Sequence, residues 1–304
     1  MLEIVRLGEC LMKQPEPGAD AGLRGPGRFA APAEHYDRFM GRYVPGLAAS
    51  LADAAGVMSG QRVLDVGCGP GGLTRELGAR VGAESVAAID PAPQFAAACR
   101  ERNPGTDVRD GVAEQLPWDD GHFDATLCSL VIGFMRDPDQ GVREMVRVTR
   151  PLGTVAACMW DIAGGGMTML RIFWTAAHQV DGTVEGERRM AGTTRGDIAQ
   201  RFKRAGLENV VDGVLVAHAE YRGFEDFWEP FTLAVGPAGH YLRSLPADQQ
   251  ARVREACRAS IPQGPFSLDA RAWYARGAVP SGAAPRGRSR PHASAIDRRP
   301  GSKS

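Results

Sequence analysis

The chain has 304 residues, 43% hydrophobic side chains and 36 acidic residues against 36 basic residues. This composition is that of a globular protein with one large domain or two small ones. The zero net charge gives no global field that favours nucleic acid or an acidic membrane surface, and no apolar run reaches transmembrane length. We therefore expect no nucleic-acid partner and no membrane span.

The N-terminal residues and the cysteines predict the compartment. Residues 1–12 are interrupted by Glu3, Arg6 and Glu9, so the segment lacks the apolar core of a signal peptide. The six cysteines form no Cys-x-x-Cys pair and no metal-ligand spacing. Both features indicate a cytoplasmic protein with free thiols, and they leave the oligomeric state open.

The composition and periodicity of the first 43 residues change near position 33. Residues 13–32 are rich in Gly, Pro and Ala without periodicity, so we expect residues 1–32 to be a disordered leader. In residues 34–43, the apolar side chains recur close to i, i+3, i+4 and i+7, which predicts an amphipathic helix. This helix could pack on the edge of a sheet or could cap a bound ligand.

The most informative stretch is a short apolar strand, residues 62–66, followed by a glycine turn and a helix start. Such a unit is a nucleotide cradle, because free N–H groups at the helix start point towards the ligand. Gly67, Gly69 and Gly72 satisfy the G-x-G-x-x-G pattern of dinucleotide sites. Asp65, however, would repel a pyrophosphate and attract the ammonium group of a methionine moiety.

A second acid follows at the end of the next strand. Residues 85–90 are apolar and end in Asp90, 18 residues after Gly72. An acid at this spacing reaches the ribose hydroxyls in a βαβ nucleotide site, because a carboxylate accepts both O–H groups.

Asp65, Gly67, Gly69 and Gly71 together resemble motif I of the class I S-adenosylmethionine (SAM)-dependent methyltransferases. That resemblance implies an α/β fold, a doubly wound, seven-stranded, mostly parallel sheet with an antiparallel last strand. It also implies SAM as the cofactor and transfer of its methyl group to a small-molecule acceptor by in-line displacement.

The resemblance extends to further site residues. The stretch Ala113-Glu114-Gln115-Leu116-Pro117 is similar to the family's adenine-binding loop, with Val112 where many members carry Asp or Asn. Ser129, at the end of the predicted fourth strand, would border cofactor and acceptor. The segment around Tyr36 and Arg42 resembles an N-terminal segment that closes over SAM in a bacterial subgroup, so both residues are candidate SAM contacts.

The rest of the chain predicts two strands beyond the fifth and several added helices. We expect the domain to span residues 33–280, with helical lid elements at about 162–193 and 222–263. The aromatic segment around Trp228, flanked by Gly223 and Gly236, is predicted either to pack in the core or to form a mobile lid over an apolar acceptor. Residues 281–304 carry six basic residues against one acidic residue and almost no apolar side chains, which predicts a disordered basic tail.

A catalytic base is left unassigned. Asp161, at the end of the predicted fifth strand, is placed for such a role, and His178, His218 and His240 are alternatives. Two rival functions also stay open. One is a nicotinamide-dependent oxidoreductase that uses the same glycines and Asp90, and the other is a SAM-binding protein without turnover.

Overall fold

The computed structural model describes residues 31–187 and 189–282. Seven strands form one sheet in the order β3-β2-β1-β4-β5-β7-β6. Their bounds are β1 Val63–Val66, β2 Val86–Asp90, β3 Asp107–Asp110, β4 Phe123–Ser129, β5 Thr149–Trp160, β6 Glu208–Tyr221 and β7 Phe266–Ala278. Strands β1 to β5 pair in parallel, and β7 runs antiparallel to β5 and β6. The predicted mostly parallel sheet with an antiparallel last strand is confirmed.

Ten α-helices are described around this sheet. Their bounds are α1 Ala33–Tyr36, α2 Val44–Ala55, α3 Gly72–Val81, α4 Pro93–Arg102, α5 Pro138–Val148, α6 Thr168–Val180, α7 Asp197–Arg204, α8 Phe224–Thr232, α9 Gly236–Ser244 and α10 Ala247–Ala259. A π-helical turn over Asp37–Gly41 joins α1 to α2. Pro45 lies in the first turn of α2, a position that suits proline.

Helices cover both faces of the sheet, which explains why β1 is buried at all four positions. One core contains Val63 and side chains of α2, α6 and α8. The other contains Leu64 and side chains of α5 and α7. Consecutive residues of β1 point to opposite faces, so Asp65 is a buried carboxylate on the same face as Val63.

Residues 150–153 form an irregular part of β5, where Leu152 has a φ of 62° and the register against β4 shifts. The aromatic segment forms α8, whose Trp228 is only 6% exposed and packs between Phe224 and Phe231. It belongs to the core on one face of the sheet, because its rings meet apolar side chains of α6 and of the N-terminal segment.

The predicted disordered leader, up to residue 30, and the predicted tail, from residue 283, lie outside the described residues. Within residues 31–187 and 189–282, no helix has the length and apolar character needed to cross a bilayer. The five cysteines in the described part of the chain are free and buried.

Candidate functional site

A cavity of about 760 Å³ opens at the carboxyl ends of β1, β2 and β4. The strand order reverses between β1 and β4, and such switch points form the ligand crevice of doubly wound sheets. Eight of the nine predicted cofactor-binding residues line this cavity: Tyr36, Asp65, Gly67, Gly69, Asp90, Ala113, Glu114 and Ser129.

The glycine turn after β1 is shaped by positions that only glycine fits. Gly67 has a φ of 74°, and a Cβ there would overlap the Val131 side chain. Gly71 has a φ of 94°, and a Cβ there would overlap the amide of Asn103. The turn therefore brings the main chain against the cavity and starts α3 at Gly72, whose N-terminus has no side-chain cap.

Asp65 is a fully buried carboxylate with one oxygen bound and one oxygen free. The Thr74 hydroxyl donates a hydrogen bond of 2.7 Å to Asp65 Oδ2. Asp65 Oδ1 is buried and has no hydrogen-bond partner among the described residues. Burial raises the pKa of Asp65 from its ordinary value of 3.8 to about 7, although the hydrogen bond from Thr74 opposes that rise. A ligand that brings a cation or an N–H donor would relieve this desolvation.

Asp90 closes the glycine turn from the end of β2. The main-chain N–H of Gly69 donates to Asp90 Oδ2 and that of Ala92 donates to Oδ1, each at 2.8 Å. Burial nevertheless raises the pKa of Asp90 to about 6. Each oxygen keeps acceptor capacity towards the cavity, because a carboxylate oxygen has two lone pairs.

The loop after β3 provides a third wall. Ala113 is buried and Val112 is exposed, and both line the cavity. Glu114 Oε1 accepts hydrogen bonds from the main-chain N–H groups of Arg136 at 2.7 Å and Asp137 at 3.2 Å. The Glu114 side chain therefore fixes this loop to the segment before α5.

The N-terminal segment covers the cavity, but Arg42 points elsewhere. Tyr36 lines the cavity and contacts Phe95 edge to face at 5.4 Å between ring centroids. The Arg42 guanidinium instead forms an ion pair with Asp226 at 3.2 Å and lies 4.2 Å from the centroid of the Tyr221 ring. The candidate SAM contact at Arg42 is therefore not part of the cavity, because α8 supplies its carboxylate partner.

None of the candidate bases lines the cavity. Asp161 is 1% exposed, forms an ion pair with Arg271 at 2.6 Å and accepts a hydrogen bond from the Gly164 N–H. His178 lies near the carbonyl of Val184, and His218 pairs with Asp269 at 2.6 Å. Ser129, at the end of β4, does line the cavity, and its hydroxyl oxygen lies 3.6 Å from the Cys158 sulfur.

The structure adds cavity residues that the sequence did not indicate. An apolar wall is built by Val44, Leu130, Val131, Phe134 and Met135. Arg75 and Arg136 also line the cavity, and no ion pair joins either of them to another described residue. Their sequence signal is weak, because an arginine in the first turn of a helix or in a loop is usually a solvated surface residue.

The fold and the cavity define the class of protein: an α/β protein with a Rossmann-like methyltransferase fold and an acidic cavity at the switch point of its sheet. Residues 64–157 match the family described as "Methyltransferase domain". This part of the chain is therefore similar to SAM-dependent methyltransferases of class I.

Curated relatives are similar to parts of this chain. An uncharacterised methyltransferase of Mycobacterium tuberculosis is 35% identical over 133 residues, which are 44% of this chain and 51% of the relative. A demethylmenaquinone methyltransferase of Renibacterium salmoninarum is 37% identical over 103 residues, 34% of this chain and 43% of the relative. These matches span about half of the relatives' length or less.

Two solved structures share the fold at low sequence identity. The YcgJ protein of Bacillus subtilis has a TM-score of 0.51 and 16% identity, covering 77% of this chain and 99% of that one. A phosphoethanolamine N-methyltransferase of Haemonchus contortus, solved with S-adenosylhomocysteine, has a TM-score of 0.50 and 16% identity, covering 82% of this chain and 56% of that one.

Proposed function

We propose that this chain transfers the methyl group of SAM to a small-molecule acceptor. The observation that carries the proposal is that Asp65, a residue of the cavity lining, has a buried carboxylate oxygen, Oδ1, without a hydrogen-bond partner among the described residues. The ammonium group of SAM supplies the charge and the N–H donors that this oxygen lacks.

The other walls of the cavity suit the remaining parts of SAM. In our proposal, Asp90 accepts the two ribose hydroxyls with the lone pairs left by Gly69 and Ala92. The adenine ring lies against the main chain at Ala113, in the loop that Glu114 fixes. Tyr36 and Ser129 border the end of the cavity at which the methyl group lies.

In methyl transfer from SAM, the main role of the protein is to align the acceptor with the methyl group. Little covalent catalysis is needed, because the sulfonium is a good leaving group. A lone pair of the acceptor attacks the methyl carbon, and the carbon–sulfur bond breaks with its electron pair going to sulfur. Holding the acceptor at attack distance can lower the barrier by ~7–11 kcal/mol. The apolar side chains of the cavity wall exclude water and favour a transition state in which the positive charge on sulfur disappears.

The same apolar wall supports an acceptor with an apolar body. It is formed by the side chains between Leu130 and Met135 together with Val44. A quinone-type acceptor, as in the name of the demethylmenaquinone methyltransferase, belongs to this class. We assign the activity to a domain spanning residues 33–280, with residues 162–193 and 222–263 as helical additions to the sheet.

Binding measurements distinguish SAM from a nicotinamide cofactor. Isothermal calorimetry should show binding of SAM and S-adenosylhomocysteine and none of NAD or NADP. Asp65→Asn should weaken SAM binding by ~10- to 100-fold, because it removes one charge-assisted hydrogen bond. Asp248→Asn changes an exposed carboxylate on α10 and is the matched control, with SAM affinity unchanged. Binding of NAD without binding of SAM would contradict the proposal.

Turnover is measured separately, because binding alone would also fit a SAM-binding protein without activity. Methyl uptake from labelled SAM into small-molecule extracts should require the protein and should be lost in Asp65→Asn. If SAM binds and no extract component is methylated, the proposal of catalysis fails and the binding function stands.

A further inference from the structure

The two edges of the sheet differ in how they are protected. The β3 edge is four residues long, and three of them are charged. The β6 edge is 14 residues long and contains no Lys, Arg or Pro. Beyond the register shift at its start, β6 pairs with β7 continuously from Val211 to Tyr221. Natural proteins block exposed edges with short strands, charges, proline or bulges. Along that stretch β6 has no proline and no bulge, and its charged side chains are Asp212 and Glu220, near the two ends.

The solvent face of β6 carries an apolar centre with polar ends. Val214 and Val216 are 43% and 42% exposed, whereas Leu215 and Ala217 between them are buried on the other face. Asp212 and His218 follow on the exposed side at either end. Among residues 31–187 and 189–282, no strand pairs with the outer side of β6, so about every second main-chain N–H and C=O group of this edge lacks a strand partner.

We propose that β6 pairs with β6 of a second copy of this chain, antiparallel, across a two-fold axis at Leu215. In that register Val214 faces Val216 of the second copy, and Asp212 faces His218 of the second copy. Each of these pairs occurs twice, because the two-fold axis relates the strands. The pairing joins the seven strands of each copy into one continuous sheet.

Charge selects this register over its neighbours. A two-fold axis at Val216 would place Asp212 opposite Glu220, two acids that repel each other. An axis at Val214 would place Asp212 opposite Val216 and remove its polar partner. Only the axis at Leu215 pairs valine with valine and the acid with the imidazole.

His218 is arranged for two carboxylates. Its Nδ1 lies 2.6 Å from Asp269 Oδ1 on the neighbouring strand, and both side chains are exposed. With Nδ1 next to Asp269, the second ring nitrogen, Nε2, is the atom of His218 that would meet Asp212 of the second copy. The interface lies beyond β5 and β7 from the SAM cavity, so it leaves both cavities open.

Matched charge variants of the full chain test the pairing and its register. Sedimentation velocity over a range of concentrations should show a dimer for the unmodified chain. Val214→Lys alone and Val216→Glu alone should each weaken the dimer at least ~tenfold, because each places a charge opposite valine methyls twice per dimer. The double variant should restore dimerisation, since the axis at Leu215 places the new ammonium opposite the new carboxylate.

Other outcomes overturn the proposal. An axis at Val214 or Val216 places like charges opposite each other in the double variant, so a double variant that stays monomeric rejects the register. A monomeric unmodified chain rejects the interface. A chain that becomes dimeric only after residues 2–30 are deleted would show that its own N-terminal segment covers β6. Thermal melting of each variant checks that the exposed substitutions leave the fold intact.

Discussion

Thr74 is the residue that holds one of the two carboxylate oxygens of Asp65. Its hydroxyl donates to Asp65 Oδ2 and accepts a hydrogen bond from the Cys99 thiol at 3.4 Å. The Asn103 amide donates to the Cys99 carbonyl at 2.9 Å and so ties this chain of hydrogen bonds to the end of α4. Thr74 is itself fully buried. One carboxylate oxygen is therefore held by Thr74, and the other has no hydrogen-bond partner among the described residues.

Replacing the Thr74 hydroxyl should change both the affinity for SAM and its pH dependence. Thr74→Val should weaken SAM binding by ~tenfold or more, since a hydrogen bond to a charged group contributes ~1.5–3 kcal/mol. The midpoint of the pH dependence of SAM binding should move upwards, because this hydrogen bond lowers the pKa of Asp65. Thr74→Ser keeps the hydroxyl and is the control. Equal behaviour of the two variants in calorimetry across pH would contradict the role of Thr74.

Helix α8 is a packing element. Phe227 and Phe231 are fully buried, and Phe231 stacks on Phe173 of α6 with 4.5 Å between ring centroids. Phe231 also meets Phe39 edge to face at 5.4 Å. No residue of α8 lines the SAM cavity. Of the two alternatives for the segment around Trp228, packing in the core or a mobile lid, these contacts favour packing: α8 holds the N-terminal segment and α6 together.

Trp228→Ala should destabilise the fold without a specific effect on the SAM site. Loss of a buried tryptophan costs ~3–5 kcal/mol, so the melting temperature should fall by many degrees. SAM affinity of the folded fraction should stay within ~threefold, because α8 does not reach the cavity. Met58→Ala is the control, since Met58 is 63% exposed. An unchanged melting temperature for Trp228→Ala would show that the residue is not part of the core.

At the scale of the molecule, three buried carboxyl groups among the described residues oppose folding as they ionise. Burial raises the pKa of Asp65 to about 7, that of Asp90 to about 6 and that of Glu187 to about 7. Glu187 lies in the segment that follows α6, and its carboxyl group accepts a hydrogen bond of 2.9 Å from the Trp174 side-chain N–H. In the folded state these groups bind protons at pH values where the unfolded chain has released them.

The protein without ligand should therefore lose stability as pH rises from about 4 to about 7. The sign follows because each folded-state pKa lies above the unfolded value, so the stabilisation is complete below the unfolded pKa and is lost as pH passes the folded pKa. Melting temperatures at about pH 5 and about pH 8 measure this loss. Asp65→Asn should reduce it, and SAM should raise the melting temperature more at the higher pH, where Asp65 is charged. A melting temperature that rises between these values would contradict the assignment.

Local sequence determined the centre of the site. The strand ending near Asp65 and the strand ending in Asp90 could be recognised from short apolar runs, and parallel strands bring such ends to one edge of a sheet. The glycines between them could be assigned because the turn requires backbone angles that other residues avoid. The seven-stranded sheet followed from the resemblance of these same residues to a known family.

Only the tertiary structure decided what the side chains far from this motif contact. Arg42 binds Asp226, which is 184 positions away, and Asp161 binds Arg271, which is 110 positions away. Trp228 is buried because α8 packs across the N-terminal segment and α6. Sequence pattern predicts that a residue lies on a helix or at a strand end, since these depend on near neighbours. The partner of a charge and the burial of a ring depend on which elements pack together, and that is determined by long-range contacts.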